Sequence, residues 1–98
     1  MVKFNVEEET GFLSSLEDLG SLAVNEVFDE LQDIERRSLQ WGQFVAQYGW
    51  ARVRLSSVDT YPGADPLYWF AFVGPSGTTY QIAAKGPYGS VVVCSVVV

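Results

Sequence analysis

The chain has no histidine and one cysteine, Cys94. Without imidazole, the commonest general base, the serine triad, the cysteine–histidine dyad and most zinc sites are excluded. A single cysteine cannot form an intramolecular disulfide, which favours a reducing compartment. Proline is missing before Pro62. No run approaches the roughly 18–20 apolar residues of a membrane helix. The start, Met-Val-Lys-Phe-Asn-Val-Glu-Glu-Glu, lacks the apolar segment of a signal peptide. The expectation is a soluble cytoplasmic protein.

Basic side chains are scarce, six against twelve acidic ones, for a net charge of −6. The imbalance is uneven. Residues 1–35 carry ten acids and one lysine, whereas residues 36–98 carry two acids and five bases. Direct nucleic-acid binding is disfavoured, because phosphate contact needs a basic surface.

What is present describes one globular domain, residues 1–98. The length suits a single core, and 48% apolar against 18% charged residues excludes a disordered chain. The chain divides near Gly49. Before it, Leu16, Leu19, Ala23, Val27, Leu31 and Ile34 recur at spacings of three and four, one stripe of an amphipathic helix. The spacing predicts helix from about 14 to 36, split at Gly20. Ser14 with Glu17, or Ser15 with Asp18, would form a capping box at its start, and Ser21 a second cap. Leu39, Trp41, Phe44, Val45 and Tyr48 extend the rhythm to about 48, where Gly49 reads as a terminating glycine. The helical half thus covers about 12–48.

The sheet occupies 50–98. Residues 2–6 alternate, as a short strand or an extended arm. Residues 50–58 alternate with Ala51, Val53 and Leu55 inward and Arg52 and Arg54 outward. Residues 59–66 are a loop by composition. The stretch 67–73, "LYWFAFV", is apolar on both faces. In 78–85, Tyr80, Ile82 and Ala84 share a face. "GPSG" and "GPYG" are tight turns, and "SVVVCSVVV" (90–98) is the last strand. Short connections between strands imply antiparallel neighbours. The expected fold is α+β, a helical N-terminal half on a four-stranded antiparallel meander. This plan resembles that of cystatin-like and related α+β rolls, a likeness of fold that implies no function.

The chain carries no phosphate-binding loop, because each Gly-rich turn leads into a strand and not into a helix N-terminus. Glu7-Glu8-Glu9 lacks the alternation and turn glycine of a calcium loop. Neither a metal nor a cofactor is expected. Cys94, mid-strand among valines, reads as packing. The aromatics Trp41, Trp50, Tyr61, Tyr68, Trp69 and Phe70 would make a stacking platform for bases or sugars, but the acidity of the chain opposes it, and core or interface is preferred.

The leading expectation is a non-enzymatic protein-binding module, a small acidic regulator or inhibitor of the kind phages make against a host protein's basic groove. Glu26, Asp29, Glu30 and Asp33 would form its acidic contact face, and Trp41, Tyr68, Trp69 and Phe70 its aromatic anchors. The partner would be another protein with a basic surface. Two alternatives stand beside it. One is an apolar pocket lined by Trp69, Phe70, Phe72 and Tyr80, with Asp59, Tyr61 and Asp65 as the candidates if it were an enzyme. The other is a structural homodimer joined through the sheet. The valine-rich last strand motivates all three, since it reads as buried on both faces, and a bare edge of this composition invites aggregation. It is therefore expected to lie inside the sheet or under a partner.

Overall fold

The computed structural model describes residues 1–6, 11–52, 67–86 and 89–98. Among these, the order is β1 (Lys3–Val6), α1 (Phe12–Asp18), α2 (Ser21–Arg36), α3 (Trp41–Tyr48), β2 (Ala51–Arg52), β3 (Tyr68–Val73), β4 (Thr79–Lys85) and β5 (Ser90–Val97). The fold is α+β, with three helices on a mixed sheet ordered β1-β5-β4-β3-β2. Among the described residues, no helix is long and apolar enough to cross a membrane.

The helix breaks follow the glycines. Gly20, at φ 101°, separates α1 from α2, and Gly49 ends α3 in the left-handed region at φ 74°. There a side chain would meet the backbone. The expected serine caps are corrected. Gly11 and Gly20 hold the two N-cap positions without a side-chain bond. Ser15 instead lies inside α1, where its hydroxyl donates to the Phe12 carbonyl and accepts from the Val96 N–H at 3.1 Å.

The antiparallel meander is correct for β2–β5 but incomplete. β1 pairs in parallel with β5, from Lys3 opposite Ser90 to Val6 opposite Val93. The last strand is thus interior, between β1 and β4. Beyond Val93 it loses β1 as a neighbour, and the Val96 N–H is taken by Ser15 of α1. The free edge of β1 is treated similarly, because the Phe4 N–H donates to Glu35 Oε2 at 3.2 Å. Both contacts satisfy strand amides that would otherwise template another chain.

Register explains the valines. Ala84 faces Val93 while Ala83 faces Ser95, so Cys94 is an extra residue, a β-bulge. The bulge resets the alternation, and Val91, Val93 and Val96 all point to the core. A strict period of two would have placed Val96 on the opposite face. The core lies between this face and the helices. From the sheet come Phe70, Phe72, Tyr80, Ile82 and Ala84, and from the helices Phe12, Leu16, Ala23, Val27, Leu31, Ile34 and Phe44. The face expected for Tyr80, Ile82 and Ala84 is the buried one. At β2 the expectation reverses, because Ala51 stands opposite Trp69 and Trp50 turns into the core. Residues 53–58 of that predicted strand, the loop 59–66 and its candidates Asp59, Tyr61 and Asp65 lie outside the described residues.

Candidate interaction surface

The predicted acidic face is not one surface. Glu26 follows Ala23 by three positions and adjoins Val27, both in the core, so it falls at the border of the apolar stripe. It is only 6% exposed and points inward. That corrects its assignment to a solvent-facing row. Its carboxylate enters a notch at the β3–β4 turn. Oε2 lies 3.5 Å from the Ser76 N–H, the outer limit of a hydrogen bond, while Oε1 is buried without a hydrogen-bond partner. The notch exists because residue 74 is glycine. A Cβ there would stand 1.8 Å from Oε2 and 2.9 Å from Tyr80 Cε2.

Glu30 and Asp33 are engaged locally. Tyr48 of α3 donates its phenol to Glu30 Oε1 at 2.6 Å and accepts from Arg37. Arg37 also bridges Asp33 at 3.0 Å, contacts Glu30 at 3.8 Å and donates to Gln47 Oε1 at 3.1 Å. This cluster ties α3 to α2. Burial first, and the bond to Glu30 second, push the Tyr48 phenol up to about 12, and Arg37 works against both. Of the four predicted carboxylates, Asp29 alone is exposed; Glu30 and Asp33 are half-buried.

The predicted aromatic anchors also separate. Phe70 is buried, 5.2 Å from Phe44 and 5.7 Å from Phe4 between ring centroids. Tyr68 stacks on Trp50 at 4.8 Å, and Trp41 packs on Trp50 at 5.0 Å and on Phe44 at 5.5 Å. These rings join α3 to β3 and serve the core. Trp69, between Tyr68 and Phe70 on β3, points the other way by strand alternation. It therefore does not share a cavity with Phe70, Phe72 and Tyr80, as the pocket expectation required.

Trp69, half-buried, belongs to the sheet face on which no helix packs among the described residues. Around it on β3 are Ala71 and Val73, the latter 64% exposed. On β4 the outward positions are Gln81, Ala83 and Lys85, and Ala83 stands directly opposite Trp69. On β5, Val92 precedes the bulge and Ser95 and Val97 follow it, with Val97 43% exposed. Lys3 and Asn5 continue the face across β1. Charge divides the same way. Every acidic side chain among the described residues lies on α1 or α2, across the molecule from this face. The signal for Trp69 was present in "LYWFAFV", since a strand apolar on both faces needs cover on both.

Comparison with protein-family models, with curated proteins and with solved structures yields no match in any of the three. The surface must therefore be judged by its chemistry. Among the described residues no group of three or more His, Cys, Asp or Glu side chains is placed to hold a metal ion. Cys94 is half-buried at the bulge, its thiol 3.5 Å from the Val92 carbonyl.

Proposed function

We propose that this protein is a non-enzymatic protein-binding module that holds its partner on the open face of the sheet. One observation carries the reading: among the described residues, Trp69, Val73, Val92 and Val97 lie on the sheet face on which no helix packs. Val73 and Val97 are exposed there, while Trp69 and Val92 are half-buried. Exposed apolar surface marks contact sites, and tryptophan is a residue enriched at their energetic centres. The acidic helix layer faces the opposite way, so one flat partner surface does not touch both. The sheet supplies the anchor, and the acids supply solubility and long-range steering.

The test is direct. The tagged chain is purified from its native host, its co-purifying protein is identified, and binding is measured with both components pure. Val73→Lys and Val97→Lys, at exposed positions, are expected to weaken binding at least tenfold. Glu17→Lys and Asp29→Lys on the helix layer are expected to leave the dissociation rate unchanged. Loss of binding with the helix variants alone would reject the sheet-face reading.

A second reading keeps the acidic layer as the contact, in a small regulator or inhibitor of a protein with a basic surface. It is favoured by the exposure of Glu17, Asp18 and Asp29 together on α1 and α2. The same four variants decide between the two.

A further inference from the structure

We propose that Glu35 is a guard that keeps this chain monomeric, closing the outer edge of β1 against β1 of a second copy. This edge is separate from the open sheet face, and the inference does not depend on what binds there. The backbone bonds show which groups lie on the edge. The Lys3 N–H donates to the Gly89 carbonyl at 2.7 Å, in the parallel register that sets Lys3 beside Ser90 and Asn5 beside Val92. Backbone groups alternate sides along a strand. Lys3 and Asn5 therefore turn their N–H and C=O groups to β5, and Phe4 and Val6 turn theirs outward. Val2, the next residue of that parity, is fully enclosed. Among the described residues no strand pairs with β1 on its outer side.

Two outward residues suffice for self-pairing. Two copies of β1, antiparallel about a two-fold axis at Asn5, would set each Phe4 opposite the other copy's Val6. An antiparallel pair of this kind exchanges both N–H···O=C bonds, and the arrangement is closed by its own symmetry. It uses every outward backbone group of Phe4 and Val6, and Val6 adds a side chain that is 38% exposed.

Glu35 blocks that arrangement at its first bond. From α2 its Oε2 accepts the Phe4 N–H at 3.2 Å. The carboxylate stands where the carbonyl of an incoming strand would have to arrive, and two acceptors cannot share that site. The side chain is half-buried, so it is held there rather than free in solvent. The same device recurs where β5 runs past β1: the Val96 N–H is taken by Ser15 Oγ of α1 at 3.1 Å. Side chains that cover or charge a sheet edge are a known defence against edge-to-edge pairing.

The experiment compares the parent, Glu35→Ala and Glu35→Gln by sedimentation velocity over a range of concentrations and by amide exchange. Melting curves show that each variant is folded. The parent is expected to stay monomeric. Glu35→Ala is expected to dimerise as concentration rises, and its Phe4 amide to exchange about tenfold faster in dilute solution, as for loss of a bond to a charged acceptor. Glu35→Gln keeps an acceptor oxygen and is expected to remain a monomer. Adding Val6→Pro to Glu35→Ala removes an outward N–H and leaves the β5 side intact, so the monomer should return. With Cys94→Ser throughout, Asn5→Cys is expected to form an interchain disulfide in air only when Glu35 is alanine, because the paired positions stand about 4.5 Å apart between Cα atoms. A Glu35→Ala chain that stays monomeric, or a dimer that survives Val6→Pro, would overturn the guard. Equal association of the alanine and glutamine variants would overturn the hydrogen-bonded cap.

Discussion

Gly74→Ala tests the least expected contact in the molecule. The new methyl group would stand 1.8 Å from Glu26 Oε2, 3.0 Å from Glu26 Cδ and 2.9 Å from Tyr80 Cε2. Tyr80 is fully enclosed, so its ring has nowhere to retreat. Either Glu26 swings out and abandons its packing, or the β3–β4 turn lifts from α2. Overpacking of this kind costs about 1–3 kcal/mol. In a domain of this size, 2 kcal/mol corresponds to a fall in Tm of about 8–16 °C. Glu26→Ala alone should change stability by less than about 1 kcal/mol, because the lost methylenes are offset by removal of a buried oxygen without a partner. In the double variant the carboxylate clash is gone, and the two effects should be non-additive by about 1 kcal/mol or more. Urea and thermal unfolding of the four proteins measure this. A Gly74→Ala protein within about 0.5 kcal/mol of the parent, or strict additivity, would refute the notch.

Other outcomes follow from the polar contacts. The Tyr48 phenol titrates near 12 in the folded protein, above its ordinary 10.0. A raised folded value favours the folded state fully below pH 10, and that contribution disappears as pH rises toward 12. Phenolate absorbance should show a late-titrating component that is lost in Tyr48→Phe, whose unfolding should depend less on pH in that window. Ser15→Ala should cost about 1 kcal/mol by leaving the Val96 N–H without its acceptor, and should speed amide exchange at Val96 more than at Val93.

Local patterns in the chain reveal local structure well. The Leu16–Ile34 stripe, the breaks at Gly20 and Gly49 and the inward set Tyr80, Ile82 and Ala84 all follow from spacing and backbone freedom. Long-range partners do not. Lys3–Val6 reads equally as a strand or an arm, because no short segment encodes its pairing with a strand some 87 residues later. Nor does a valine run announce that Cys94 will be the bulged residue, although that decides whether Val96 faces the core. Glu26 sits at the edge of the helical stripe, and its side is decided by the absence of a side chain at Gly74, 48 positions away. The site divides the same way. Tyr68, Trp69 and Phe70 are adjacent aromatics, and only strand alternation, anchored by the core contacts of Phe70, shows that Trp69 alone is on the open face.

The central claim is that the open sheet face binds. Hydroxyl-radical footprinting of the chain, alone and with its co-purified partner, tests it most directly. Loss of labelling at Trp69, Val73 and Val97 on addition of the partner, with Leu22 on α2 unchanged, is the expected result. Protection at Leu22 and along the acidic helices, with Trp69, Val73 and Val97 labelled as before, would contradict it.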